Sequence, residues 1–402
     1  MKKILACLFA VSVISAAAFS KNFFSQRYFE IKAGTEVGLS NNLFAANDFF
    51  KKDLVIDLRK IADDCPENGF NIRADANPSF EINLNIKDLH IGLVSGVEAY
   101  ESLEFGKDFF DFLGYGNSIG EKLDFSFKND ADIFAYSQAD VGFKLGKFKI
   151  NVQPAIFLPV VSIRGGGGSV TVLNDSDGKL NVDMNVEMEV YSISELKSSD
   201  DTITFDEDKL ESMVFTGYGF DLGGGVGYEL SDTLEVGATC RIPMIPGHLN
   251  HKATVEGGFE YNMELKDFEN SEKDSRETTV TNTEADLFIH RPLKLNVYID
   301  KKLLGSLFDA RAGAGFGVRR PFSDYAVFYP EYYLGLTLNL IDIFKVGVST
   351  QYRNEVFIHQ VGTTLNVRLI QFDFGVSTQS SSFKKSLSVG GVGAYAYVTM
   401  GF

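Results

Sequence analysis

The chain has 402 residues, of which 54 are acidic and 38 are basic, so its formal net charge is −16. Binding to nucleic acids needs clustered Lys and Arg that neutralise phosphates, so this composition argues against a nucleic-acid partner. Tryptophan is absent, and 36 Phe and 16 Tyr must therefore supply any aromatic belt at a membrane interface.

The first residues have the features of a secretory signal peptide. Lys2 and Lys3 precede an apolar run over 4–14, and small residues follow up to Ser20. The run is too short for a membrane anchor, and no later window is apolar for long enough to form a transmembrane helix. We therefore assign 1–20 as a signal peptide and 21–402 as the mature domain, which is periplasmic, secreted or an outer-membrane barrel.

The mature chain contains a series of segments in which apolar and polar residues alternate. Period-two alternation indicates β-strands, and helical spacing cannot produce it. We predict fourteen strands, at 27–37, 76–87, 89–100, 132–145, 148–163, 214–230, 234–245, 286–300, 307–319, 327–340, 344–353, 356–369, 371–380 and 388–402. An even number suits a single-chain bacterial barrel with both termini in the periplasm.

The predicted fold class is all-β, an antiparallel transmembrane β-barrel of about 14 strands with long extracellular loops and a short helical insertion near the amino terminus. Five phenylalanines support it, because each stands at the turn-side end of a strand on its apolar face: Phe148, Phe308, Phe344, Phe372 and Phe402. A soluble β-sandwich also alternates, but it turns its polar face outward. Phe402 is the predicted assembly signal. Outer-membrane lipid and the barrel-assembly machinery are the expected partners.

Connections of two lengths separate the strands. Short turns such as Lys87-Asp88 and Ser231-Asp232 are assigned to the periplasmic rim, and the long insertions 38–75, 102–130, 164–213 and 246–285 to the extracellular rim. The loops 164–213 and 246–285 contain strand-like patterns, which we interpret as hairpins above the membrane. The alternative is one more spanning pair, which would give sixteen strands. Most acidic residues of 164–213 are assigned to a solvated face.

The segment 41–64 is a candidate plug or cap. Leu54, Leu58 and Ile61 have the spacing of a short amphipathic helix. Inward-facing glycines could receive such a plug or could relieve strong curvature, and they form three groups: Gly223, Gly225 and Gly227; Gly313, Gly315 and Gly317; Gly391 and Gly393. Both interpretations of the segment and of the glycines stay open.

Charged residues on the inward face are the candidate functional residues. The lumen-lining candidates are Glu81, Lys87, Asp140, Lys144, Asp221, Arg241, Lys294, Asp309, Arg311, Arg319, Arg368 and Asp373. Over the whole inward face acids and bases balance, so no strong ion selectivity is expected. These groups either pair with one another and hold the wall together or line a path for a solute.

Signals for catalysis or cofactor binding are weak. His248 and His251 are three residues apart on a loop without a third ligand nearby, so no metal site is predicted. No short motif marks a nucleophile with its base, and the run Arg164 to Gly168 lacks the Lys and helix of a phosphate loop. We expect no cofactor, no metal and no enzymatic activity. The cysteines Cys65 and Cys240 are not expected to form a disulfide.

Strand number, the Phe402 ending and the helical segment near the amino end resemble the long-chain fatty-acid transporter family of outer-membrane proteins. Asn77-Pro78 is similar to an Asn-Pro element of that family. The resemblance implies passive uptake of a hydrophobic molecule through a plugged barrel. We consider three functions and rank them as follows: first a passive channel for small or hydrophobic solutes, second a structural or adhesive surface protein, and third an outer-membrane enzyme.

Overall fold

The computed structural model describes residues 27–45, 56–175, 179–199, 202–205, 217–264, 267–341 and 343–402. The assigned signal peptide and residues 46–55 of the candidate plug lie outside the described residues. No helix in these ranges is both long and apolar enough to cross a membrane.

The described residues form twenty β-strands and three short helices. The strands are β1 (Phe29–Asn41), β2 (Phe70–Ala76), β3 (Ser79–Ile86), β4 (Leu89–Phe105), β5 (Lys122–Leu145), β6 (Phe148–Asn174), β7 (Lys179–Ser192), β8 (Leu196–Ser199), β9 (Thr202–Phe205), β10 (Gly219–Ser231), β11 (Leu234–Ile245), β12 (Gly247–Glu264), β13 (Asp267–Ile289), β14 (Leu293–Leu303), β15 (Phe308–Arg319), β16 (Val327–Ile341), β17 (Phe344–Arg353), β18 (Val356–Val367), β19 (Ile370–Ser380) and β20 (Gly391–Gly401). The helices are α1 (Leu58–Asp64), α2 (Lys107–Tyr115) and α3 (Phe383–Ser386).

Antiparallel pairing closes the strands into a barrel. Within the described ranges one circuit runs through β1, β3, β4, β5, β6, β10, β11 and β14, continues through β15 to β20 in chain order, and returns to β1. The last strand closes on the first, with Ile31 opposite Met400 and Leu39 opposite Val392. Closure satisfies the backbone of every strand in the circuit, as a bilayer requires. The predicted closed all-β antiparallel barrel is confirmed.

The number of strands depends on the height at which the barrel is counted. The circuit has fourteen members, with β2 and β3 as one strand that is interrupted at Asn77 and Pro78. β12 and β13 continue β11 and β14 and pair with each other, so the described wall has sixteen strands when they are counted separately. The expectation of about fourteen was too low for the whole wall. β7, β8 and β9 lie outside it.

The burial pattern of the barrel is inverted relative to a water-soluble protein. Alternate residues such as Val297 on β14 and Leu334 on β16 are exposed to more than half of their full area. Their neighbours on the inner face are polar and buried, for example Asn296 and Glu331. An apolar outer face and a polar inner face are typical of a wall that separates lipid from a wet lumen.

Several strands extend beyond the length needed to cross a bilayer. β5 and β6 have 24 and 27 residues, whereas about 9–11 residues suffice for a spanning strand. In their described parts the segments 102–130, 164–213 and 246–285, predicted as long loops, are largely strand, and the first also contains α2. The strand-like patterns expected within 164–213 and 246–285 are present as parts of β6, β7, β12 and β13. β6 continues through Gly167, where an added Cβ would lie 1.9 Å from the carbonyl oxygen of Phe127. The glycine run thus permits close strand contact.

An aromatic cluster connects the helical segments at the loop-side end. Leu43 and Cys65 are buried with Phe70 of β2 and Phe110 of α2. The Phe70 and Phe110 rings meet edge to face at 5.5 Å. α1 packs on α2, since a Cβ at Gly114 would lie 2.7 Å from Ala62. The described residues of 41–64 thus contact α2 and the ends of β2 and β4.

Candidate functional site

Ionic side chains fill the turn-side half of the lumen by pairing along the wall. Lys149 contacts Glu229 on the neighbouring strand at 3.1 Å and Glu235 at 2.6 Å. Arg311 forms a two-pronged contact with Asp300 across the β14–β15 pair, at 2.5 and 2.7 Å. Each of these contacts joins strands that are no more than two positions apart in the circuit. These contacts join strands that are neighbours or one strand apart, and none of them crosses the lumen.

In the loop-side half, ion pairs cross the lumen. Glu98 of β4 accepts a hydrogen bond from Nη1 of Arg241 at 2.6 Å, although Arg241 lies on β11, four strands away along the circuit. Arg291, in the break between β13 and β14, contacts Glu98 at 3.1 Å and Asp221 at 2.9 Å. The Arg291 side chain is almost fully buried, and its guanidinium lies 4.2 Å from the Tyr136 ring centroid.

Two consecutive arginines at the end of β15 make further crossings. The Arg319 guanidinium lies 3.9 Å from the centroid of Tyr100, which is on β4 across the lumen. Arg320 donates to Asp132 of β5 at 2.8 Å and also contacts Asp130. Arg320 has a φ of 48° and so turns the chain inward immediately after the strand. The connection between β15 and β16 is thereby fixed to the opposite wall.

A third crossing joins β17 to the barrel seam. Arg353 contacts Glu36 of β1 at 3.2 Å and Asp75 of β2 at 3.4 Å. Glu355, in the following turn, bonds Arg73 at 3.0 Å and also contacts Arg319. Buried ion pairs of this kind carry a large desolvation cost, and losing one partner leaves the other charge uncompensated.

A cavity of about 230 Å³ lies among these crossings. Six bases and four acids line it: Arg241, Arg291, Lys294, Arg319, Arg320 and Arg353; Glu81, Glu98, Asp132 and Asp221. Tyr100, Phe134 and Tyr136 add aromatic surface. A cavity of this volume admits several waters or one small solute.

Most lumen-lining candidates lie on the inner wall, but they do not form one site. Asp221, Arg241, Lys294, Arg319 and Glu81 line the cavity. The remaining wall candidates have partners on their own or nearby strands: Asp140 with Gln153, Lys144 with Glu229, Arg311 with Asp300, Asp309 with Asn339, and Asp373 with Thr364. Lys87 and Arg368 were wrongly placed on the wall, because both are exposed in tight turns at φ near 50°.

The inward glycines receive side chains of the wall itself. A Cβ at Gly317 would lie 2.3 Å from the Tyr329 ring, and one at Gly227 would lie 2.9 Å from the Tyr298 hydroxyl. A Cβ at Gly393 would meet Ser377 at 2.5 Å. For these glycines the close neighbours are wall residues, so each gap accommodates a side chain from an adjacent strand.

The sequence prediction missed several residues of the crossings. Glu36, Glu98 and Arg353 follow the inward alternation of β1, β4 and β17, so a stricter extension of period two would have found them. Arg291 and Arg320 lie outside any strand. No sequence signal marks them, because their side chains enter the lumen from irregular backbone.

The predicted assembly signal and the histidine pair also have defined positions. Phe402 and Phe29 exchange backbone hydrogen bonds of 3.1 Å at the seam, and the Phe402 ring lies outside the wall. His248 contacts Asp286 at 2.9 Å and stacks on Phe288. Across the described ranges, no group of three or more His, Cys, Asp or Glu is placed to hold a metal ion. Cys65 and Cys240 are free thiols.

Comparison with known proteins gives distant structural similarity. No protein-family model and no curated protein sequence matches the chain. The toluene transporter TodX of P. putida is 7% identical over 96% of this chain and 94% of that chain, with a TM-score of 0.49. The toluene transporter TbuX of Ralstonia pickettii is 9% identical over 94% and 90%, with a TM-score of 0.46. The CymD monoaromatic hydrocarbon channel is 9% identical over 97% and 93%, with a TM-score of 0.45. These values do not establish membership of the fatty-acid transporter family.

Proposed function

We propose that the chain is an outer-membrane β-barrel that provides a passive path for small or hydrophobic solutes. The observation that carries the proposal is a closed antiparallel wall, apolar outside and polar inside, with a cavity of about 230 Å³ in its lumen. The structurally similar proteins TodX, TbuX and CymD are transporters or channels for toluene and monoaromatic hydrocarbons, which agrees with this class of function.

Reconstitution of the purified full chain tests the proposal. Planar bilayers should show discrete conductance steps, and loaded vesicles should take up a small polar solute or toluene faster than protein-free vesicles. Protein that was heat-unfolded before reconstitution is the matched control, because it has the same composition without the closed wall. A folded barrel that neither conducts nor accelerates uptake of any such solute would disprove the channel.

The orientation proposed here places the short turns in the periplasm. The difference in length between the connections supports it, because outer-membrane barrels have short periplasmic turns and longer extracellular loops. In a background with Cys65 and Cys240 replaced by serine, Asp175→Cys and Asp232→Cys form a matched pair of exposed positions at opposite ends. An impermeant maleimide added to intact cells should label only the Asp175→Cys variant, and the reverse pattern would invert the topology.

The candidate plug is proposed to be a cap. The support is that Leu43 and Cys65 are buried against α2 and β2 at the loop-side end, whereas the inward glycines meet wall residues. Phe110→Ala should loosen this cluster, because deletion of a buried phenylalanine costs about 3–5 kcal/mol in a core. Proteolysis at the loop-side end should accelerate while single-channel conductance stays unchanged. A severalfold rise in conductance would instead support a plug.

Phe402 is proposed to guide insertion by the barrel-assembly machinery. It ends the strand that closes on β1, and its ring is 70% exposed on the outer face. A charge at the interface costs only about 0–1 kcal/mol of stability, so Phe402→Asp should reduce folding yield more than final stability. Phe402→Tyr is the control, because it keeps the ring. Normal membrane levels of the Asp variant would contradict this role.

A structural or adhesive function is the second candidate. One observation favours it: β6 pairs with β7, β7 with β12 and β12 with β13, so a sheet continues above the closed wall. A variant in which a tight turn replaces 253–282 should keep its conductance and lose surface attachment of the cells if the sheet is the functional part. Unchanged attachment would remove this candidate. The expected absence of enzymatic activity stays a prediction.

A further inference from the structure

The charges of the lumen are balanced overall, but the hydrogen-bonding capacity around the cavity is not. The six bases that line it outnumber the four acids, and acids behind the lining, such as Glu331 and Glu355, offset that difference. Net charge alone therefore does not define a ligand. The lining side chains instead define the ligand through their unfilled hydrogen-bond donors and acceptors, because a buried polar atom without a partner costs free energy.

Donors without acceptors cluster on the arginines of the cavity. Arg241 donates hydrogen bonds from Nε to the carbonyl oxygen of Pro292 and from Nη1 to Glu98, and its buried Nη2 has no partner. Arg319 lies over the Tyr100 ring and interacts with its hydroxyl, and its buried Nε and Nη1 have no carboxylate or carbonyl acceptor. Nε and Nη1 of one guanidinium point to different sides, so each unused N–H group donates a single charge-assisted hydrogen bond, for which an oxyanion oxygen is a strong acceptor.

An acceptor oxygen accompanies these donors, and Nδ1 of His290 in the same lining is also without a partner. Oδ1 of Asp221 is buried without a donor, although Oδ2 is bonded to Arg291. Asp221 and Arg291 line the same cavity as Arg241 and Arg319. A ligand that fills this set presents several acceptor oxygens and one hydroxyl.

We propose that the lumenal cavity binds a small oxyanion that carries its own hydroxyl, of the hydrogen phosphate type, with Arg241 and Arg319 as ligands and Asp221 as the acceptor. This inference rests on the proposed channel function and specifies its solute class. A neutral hydrocarbon of similar size leaves the arginine donors unpaired, and such a mismatch penalises binding. The site therefore selects by its unfilled hydrogen-bond donors and acceptor, even though acids and bases balance in the lumen as a whole.

The test uses the full-length barrel in planar bilayers with chloride as the current carrier. Hydrogen phosphate should reduce the current in a saturable way. Sulfate has no hydroxyl at neutral pH and should block more weakly, and neutral acetamide should not block. Arg241→Gln should raise the phosphate concentration for half block at least about tenfold, since a charge-assisted hydrogen bond contributes about 1.5–3 kcal/mol.

Two variants serve as controls for Arg241→Gln. Arg311→Gln also removes one lumenal base, but Arg311 bonds Asp300 on the turn side and does not line the cavity. It should leave the block unchanged. Arg241→Lys keeps the charge and should recover part of the affinity. Arg291 is unsuitable as a test, because its loss would leave Asp221 without its cation.

The outcomes separate this inference from the channel itself. A conducting barrel that phosphate does not block, or that acetamide blocks equally well, would overturn the oxyanion site and leave the channel intact. Equal effects of Arg241→Gln and Arg311→Gln would also overturn it. If the barrel does not conduct, the channel fails, and calorimetry of phosphate binding to the folded barrel in detergent decides whether the site exists.

Discussion

The turn-side and loop-side halves of the lumen use the same residue types in different ways. On the turn side, Lys149 and Arg311 bond acids one or two strands away. On the loop side, Arg241 and Arg353 reach acids at least four strands away and cross the lumen. Bonds along the wall affect its stability. Bonds across the lumen couple opposite walls and, in the proposed channel, would limit which solutes pass.

The largest effect is expected from Arg291→Met on the loop side. Arg291 bonds both Asp221 and Glu98, so its removal leaves buried charge without compensation and should cost about 3–5 kcal/mol of unfolding free energy. Urea titration in micelles measures this change. Adding Asp221→Asn should restore part of the stability. If Arg291→Met alone were as stable as the wild type, the ion pairs of the loop-side half would not differ from those of the turn-side half in their effect on stability.

An intermediate effect is expected from Gly237→Val on the turn side. A Cβ at Gly237 would lie 2.5 Å from the Tyr298 ring, so the larger side chain should displace Tyr298 and cost about 1–3 kcal/mol. Ion selectivity should not change, because the pair lies outside the lining of the cavity. Because that Cβ would also lie 2.5 Å from the carbonyl oxygen of Val226, adding Tyr298→Ala should not restore stability. A shift in selectivity would show that wall packing and passage are coupled.

The smallest effect is expected from Lys144→Ala, also on the turn side. Lys144 contacts Glu229 at 3.0 Å with about a third of its side chain exposed, and Lys149 bonds the same carboxylate. Partly exposed pairs contribute about 0–1 kcal/mol. Melting temperature and conductance should therefore stay close to wild type. A loss as large as that of Arg291→Met would show that position in the lumen does not determine the role of a pair.

The sequence predicted the wall better than the lumen. The alternation of apolar and polar residues predicted β11 and β17 with their observed bounds. It could do so because outward positions of such a wall are apolar and inward positions are polar. It placed Arg241 and Arg319 inside, but it could not pair Arg241 with Glu98, since partners across a lumen depend on strand order, tilt and shear. The roles of Arg291 and Arg320 could not be predicted, because irregular backbone has no periodic pattern of apolar and polar residues. α2 was missed because a phenylalanine-rich segment between long strands was interpreted as loop.

The buried thiol of Cys65 gives the cap a chemical property of its own. Burial raises the pKa of this thiol to about 11, with nearby Lys107 opposing the shift. Because only the thiolate is nucleophilic, very little of the thiol is reactive at neutral pH while the aromatic cluster is closed. Alkylation of Cys65 should therefore be slow in the native barrel and should accelerate whenever the cluster opens. The rate of Cys65 alkylation therefore measures how often the aromatic cluster of the cap opens.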